Sequence, residues 1–126
     1  MNAREQIIKD YIEAYNAFDT EKMIRSFDEE ILFENVQNGK VNLSISGLET
    51  FKQQADQAKN YFEKRQQTIK SVKHVKNVSE VEIDYYAVLA MDFPNGMKKG
   101  EELKLQGKSV FEFNDNNKIT KLIDQS

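Results

Sequence analysis

The chain has 126 residues, 18 basic and 21 acidic, for a formal net charge of −3. It contains no Cys and one His, which excludes disulfides, thiolate nucleophiles and any zinc-cysteine or multi-histidine metal site within one chain. The mixed charge lacks the basic excess that nucleic-acid binding leaves, and no apolar run is long enough to span a membrane. One domain covering residues 1–126 is expected from this length, with enough apolar residues for a core. The N-terminal MNAREQIIKDY lacks a signal-peptide segment, so a cytoplasmic location is the expectation.

Residues 4–17 read as a helix, because Ile7, Ile8, Tyr11, Ile12 and Tyr15 recur at helical spacing. Asp19 is placed to cap a second, short helix carrying Met23, Ile24 and Phe27 and ending near Asp28. Phe18 and Met23 are candidates for a hydrophobic staple across that cap. Residues 31–36 alternate as a first strand, Gln37-Asn38-Gly39 reads as a turn, and Val41, Leu43 and Ile45 alternate on a second strand. Ser46 and Glu49 fit a capping box for a third helix whose apolar stripe is Leu48, Phe51, Ala55, Ala58 and Phe62. Four further strands follow, near 66–78, 81–93, 103–113 and 118–124. Pro94-Asn95-Gly96 and Asn114-Asp115-Asn116-Asn117 break them as turns.

Helices first and a strand run last predict an α+β fold, with helices on one face of a curved antiparallel sheet. In the strand near 81–93 the odd positions Val81, Ile83, Tyr85, Ala87 and Leu89 are apolar, so that face is expected to be buried. The even positions begin with Glu82 and Asp84, then turn apolar at Tyr86, Val88 and Ala90. Apolar residues on the second face predict a homodimer through the sheet.

The segment YIEAYNAFDTEKMIRSF, the acidic Asp28-Glu29-Glu30, the strand ILFEN, Ser46-Gly47, and GKSVFEF before Lys118-Ile119-Thr120 resemble the nuclear-transport-factor-2-like superfamily, also called SnoaL-like or ketosteroid-isomerase-like. The resemblance spans nearly the whole chain. It implies an α+β cone: a curved antiparallel sheet wrapped around three helices of the N-terminal half, with an internal apolar pocket. It also implies no single activity, since the superfamily holds isomerases, cyclases, dehydratases, epoxide hydrolases and non-catalytic binders.

Carried over residue by residue, the isomerase pattern places Tyr11 at the oxyanion tyrosine, Asn35 at the base and Ser109 at the oxyanion acid. An amide cannot take up a proton near neutral pH, so that reaction loses its base. The epoxide-hydrolase pattern finds Asn35 as a water-holding amide and Asp124 as the late carboxylate. Asp84 can be laid on the second carboxylate, but Glu82 stands where that pattern has Arg and Phe33 where it has Tyr. An exposed acidic strand edge is the simpler reading of Glu82 and Asp84. The cyclase pattern needs a pocket Asp or His, for which Asp124 and His74 are the candidates. His74, flanked by Lys73 and Lys76, reads more simply as a surface residue.

The expected function is binding of a small hydrophobic or amphipathic molecule in the apolar pocket, without metal or cofactor. Candidate catalytic residues are Asp124 as acid–base group, with Asn35 and Tyr11 orienting. Tyr15, Phe27, Phe33, Phe51, Tyr85, Ser109 and Phe111 are the candidate ligand-binding residues. Two alternatives stand beside it: an acid–base enzyme using Asp124, and a non-catalytic protein-interaction module. A pocket reaching Asn35 and Asp124 favours a small ligand; one filled by Phe33, Phe51 and Phe111 favours the interaction module.

Overall fold

A computed structural model describes residues 3–126. The elements run α1 (Ala3–Asn16), α2 (Thr20–Met23), β1 (Phe27–Gln37), β2 (Lys40–Ser46), α3 (Leu48–Ala58), β3 (Phe62–Val75), β4 (Val78–Leu89), β5 (Glu102–Phe113) and β6 (Ile119–Gln125). The six strands form one sheet in the order β2-β1-β6-β5-β4-β3, with the three helices in the N-terminal half of the chain. This is the expected α+β cone. One pairing departs from the antiparallel expectation: β1 and β6 run parallel. They are the first and last strands of the chain, so no hairpin joins them and their direction is free. Register shifts within β1, β3 and β5 bend the sheet around the helices.

The local chemistry explains most boundaries. Asp19 caps α2, its Oδ1 accepting from the Lys22 amide at 3.1 Å. The helix stops at Met23, earlier than its apolar residues suggest, and Phe27 opens β1 as a buried strand residue. Asn38 and Gly39 both have positive φ, the requirement of the two-residue turn that joins β1 to β2. The predicted capping box at α3 does not form. Ser46 is the exposed last residue of β2, and Gly47 is the N-cap with no side-chain cap bond. Gly47 has φ +95°, and its amide donates to the Ile31 carbonyl at 2.8 Å. The sharp turn from strand into helix therefore uses glycine backbone freedom rather than a serine hydroxyl.

The core lies between the helices and the inner face of the sheet. Ile8, Tyr11, Ile12, Met23, Phe27, Ile31, Phe51, Val81, Phe111, Ile119 and Leu122 are all buried there. The free edge of β3 is tied to the end of α1 by a side chain that imitates a strand. Asn16 accepts from the Gln67 amide at 2.7 Å and donates to the Gln67 carbonyl at 3.1 Å. At the other end of α1, Arg4 reaches Asn117 Oδ1 at 2.9 Å and the Asn114 and Lys76 carbonyls at 3.3 and 3.1 Å. That one side chain ties the β3–β4 and β5–β6 turns to α1.

Candidate functional site

The pairing register draws one line across the inner face of the sheet. Leu43, Asn35, Asp124, Ser109, Val81 and Val72 are successive cross-strand partners from β2 to β3. Cross-strand partners share a face, so three polar side chains sit in the middle of an otherwise apolar row. The Ser109 hydroxyl donates to Asp124 Oδ1 at 2.7 Å. Asp124 Oδ2 takes no hydrogen bond from a described residue. Asn35 donates one of its two amide hydrogens to Asn42 Oδ1 at 2.8 Å, which leaves its other N–H and its carbonyl oxygen for a ligand.

On one side of this row the inner face is solid. Tyr11 stacks on Phe27 at 5.5 Å and meets Phe111 edge-on at 5.7 Å. Phe51 packs edge-on against Phe27 at 4.8 Å and Phe33 at 5.5 Å. Tyr11, Phe27, Phe33, Phe51 and Phe111 are thus core packing and do not line a cavity above the sheet beside Asp124.

On the other side the face is hollow. A cavity of about 270 Å³ is walled by Phe62, Ile83, Tyr85, Leu103 and Leu105, with Tyr15, Asn35, Gln37, Gln67, Lys108, Ser109, Asp124, Gln125 and Ser126 as polar residues of its lining. Of the sequence candidates, Asp124, Asn35, Tyr15, Tyr85 and Ser109 come together here. The Tyr15 and Tyr85 hydroxyls are 2.8 Å apart. One donates to the other, so the pair keeps one O–H for a ligand. Gly107, opposite Ile83, also lines the cavity, and a Cβ there would come within 2.5 Å of the Gln125 carbonyl oxygen. Glycine is what lets β5 and β6 approach each other at this wall.

Burial pushes the Asp124 carboxyl up to about 6, against the smaller opposing effect of the Ser109 hydrogen bond. The phenols of Tyr11, Tyr15 and Tyr85 are raised, first by burial and also by the Asp124 charge. They are neutral donors at any physiological pH. Asp124 is a carboxylate whose proton affinity lies near the working range, the property a general base or acid needs.

Two residues here escape a reading of the sequence. Gln67 lines the cavity, and Arg65, 4% exposed, lies behind it. Arg65 Nε donates to the Tyr15 carbonyl at 2.8 Å, and its guanidinium lies 3.8 Å from the Tyr15 ring centre and 4.4 Å from that of Phe18. Its Nη2 is buried without a partner among the described residues. Among the described residues no carboxylate pairs with it; two aromatic faces and a helix-terminal carbonyl stabilise its charge. Both residues occupy inward positions of β3 where alternation predicts apolar side chains.

Three candidates lie elsewhere. Asp84 is on the outer face, with Lys70 Nζ 3.9 Å away, and Glu82 is exposed beside it. The second carboxylate of the epoxide-hydrolase pattern is therefore not in the cavity. Exposed His74 pairs across the β3–β4 hairpin with buried Ser79, Nδ1 to Oγ 2.6 Å. Among the described residues no group of three or more His, Asp or Glu is arranged to hold a metal ion, and no helix is long and apolar enough to cross a membrane.

Residues 8–122 match the family model of the SnoaL-like domain. Among solved structures, a candidate polyketide cyclase from Xanthomonas campestris pv. campestris superposes with a TM-score of 0.80 at 18% identity, covering 98% of this chain and 89% of its own. A candidate SnoaL-like polyketide cyclase from Shewanella putrefaciens CN-32 does so with 0.79 at 13% identity, covering 99% and 90%. An uncharacterized cystatin-fold protein from Novosphingobium aromaticivorans gives 0.74 at 16% identity, covering 98% of each chain. At these identities the likeness is one of fold. No curated protein sequence matches the chain.

Proposed function

This chain belongs to the SnoaL-like family, and we propose that it binds a small apolar or amphipathic molecule in the cavity beside Asp124. The observation that carries the reading is the division of the inner face. Aromatic side chains fill one half, while the half that meets Asn35, Asp124 and Ser109 stays hollow. An apolar chamber with a few convergent polar groups and one perturbed carboxylate is the usual composition of a ligand site. The name carried by two of the structural neighbours, polyketide cyclase, agrees with a small organic substrate.

Asp124 is the group suited to proton transfer. At pH 7.5 it is mostly ionised and can accept a proton; Ser109 holds it in place, and the Tyr15–Tyr85 pair and Gln67 orient the ligand. The interaction-module reading has less support, because Phe33, Phe51 and Phe111 fill only the other half. We also propose that the chain pairs with a second copy through the outer face of the sheet, where Leu32, Val110 and Ile123 are only half-buried.

Native mass spectrometry of protein purified from its own host tests the ligand reading. A retained small-molecule adduct is expected, and it should disappear in Leu105→Trp, which narrows the mouth at an exposed wall residue. An adduct-free wild type, or an adduct unaffected by Leu105→Trp, removes the cavity from consideration as its site.

A further inference from the structure

We infer that the ligand of this cavity is a cation, an amphipathic ammonium compound held between the Asp124 carboxylate and the rings of Tyr15, Tyr85 and Phe62. The inference rests on the cavity being a ligand site and adds the charge of its occupant.

The inventory of groups is one-sided. Among the described residues the lining holds one basic side chain, Lys108, and its Nζ is committed to Glu80 Oε1 at 3.3 Å. Glu80 occupies an even position of β4, on the outer face. The cavity's acceptors include Asp124 Oδ2 and the Asn35 carbonyl oxygen, and its donors apart from Lys108 are neutral: the spare Tyr15–Tyr85 proton and the side-chain amides of Asn35, Gln37, Gln67 and Gln125. An anionic ligand would meet a carboxylate and gain no charged donor. A cation would meet that carboxylate and several π faces. The three rings form a connected wall, with Tyr15 and Tyr85 centroids 6.2 Å apart and Phe62 and Tyr85 6.5 Å apart. Excluding one charge sign by leaving out its partner is a common route to specificity.

The groups facing Asp124 from the surrounding elements are few. Tyr11 and Tyr15 come from α1, Asn35 from β1, Tyr85 from β4 and Ser109 from β5. Arg65 of β3 is the nearby fixed cation. It is held behind the Tyr15 ring and bonded to the Tyr15 carbonyl, and it does not line the cavity. Arg65 is not among the groups that act on the Asp124 carboxyl, and it makes no contact with a ligand in the cavity.

Three probes of similar shape separate charge from size: choline, its neutral isostere 3,3-dimethylbutan-1-ol, and the anion 3,3-dimethylbutanoate. Each is titrated into isotopically labelled protein at pH 7.5 and pH 5.0, and the amide shifts of Asn35, Gly107, Ser109 and Asp124 are followed. Choline should bind at least about tenfold more tightly than the alcohol at pH 7.5, with the anion weakest. A carboxyl titrating at about 6 makes choline roughly tenfold weaker at pH 5.0, while the alcohol is unmoved. Asp124→Asn should reduce the choline-to-alcohol ratio to about one. The wild-type pH comparison decides the question even if that variant fails to fold. An alcohol as tight as choline at pH 7.5, or an anion tighter than both, overturns the cation inference and leaves the ligand cavity standing. No cavity shift with any probe overturns both.

Discussion

The inner face of the sheet uses the same kind of side chain on either side of the Asn35–Asp124–Ser109 line, with opposite results. Phe27, Phe33, Phe51, Phe111 and Tyr11 interlock into solid core. Tyr15, Tyr85 and Phe62 stand around an empty volume of about 270 Å³. Aromatic content does not by itself make a pocket. α2 and α3 bring Met23 and Phe51 down onto the first half, whereas the second half has the C-terminal end of α1 above it and inward polar residues from β3. The difference teaches where stability resides and where function is affordable.

The largest expected effect lies in the solid half. Phe111 is fully buried, and Phe111→Ala should cost about 3–5 kcal/mol in urea unfolding, the range for a large core aromatic that leaves a cavity. A cost below about 1 kcal/mol would mean that this half is not solid. Next comes the wall of the hollow half. Gly107→Ala places a Cβ against the Gln125 carbonyl, so about 1–3 kcal/mol should be lost as β5 and β6 part. An unchanged melting temperature would show that the close approach is not required.

Asp124 should behave in the opposite sense. Its folded carboxyl titrates at about 6, above the usual carboxylate value, so the folded state binds its proton more tightly than the unfolded chain. The stability it contributes is fully present below the unfolded value near 4 and is lost as pH rises through 6. Asp124→Asn keeps the acceptor for Ser109 and removes the charge. It should stabilise the protein by on the order of 1–2 kcal/mol at pH 7.5 and by little at pH 4. Denaturant melts at the two pH values check the sign; destabilisation at pH 7.5 would contradict it. The smallest effect belongs to Tyr85→Phe, which removes one hydroxyl of a pair beside an open volume. Less than about 1 kcal/mol should be lost, while ligand affinity falls severalfold by calorimetry.

Much of the fold is legible in the sequence because its signals are local. The order of elements follows from helical spacing around Ile8, Tyr11 and Ile12, the Asp19 cap, and the alternation of Val81, Ile83 and Tyr85. The boundaries that differ are those where tertiary contacts outweigh local preference. β3 begins at Phe62, whose ring packs on Tyr61, Phe93 and Tyr85, and Gly47 rather than Ser46 opens α3.

The site is legible only in part. Asp124 shares strand parity with Leu122, so its inward direction can be read from alternation. That Asn35, Asp124 and Ser109 form one row cannot be read, because it depends on the register of a parallel pair formed by the chain's first and last strands. Arg65 and Gln67 are invisible for a different reason. They break the apolar inward pattern, and only the nearby Tyr15 carbonyl, the Tyr15 and Phe18 rings and the Asn16 side chain make that tolerable. Nor can spacing tell a core Phe from a cavity Tyr, since both sit on the same face.

The most direct measurement is a crystal structure of the protein purified from its own host without an added ligand. Density for a small organic molecule among Ile83, Tyr85, Leu105 and Gly107, with a polar end at Asp124, is the predicted result. A cavity closed by Tyr85 or holding only water, with organic density elsewhere on the chain, would contradict it.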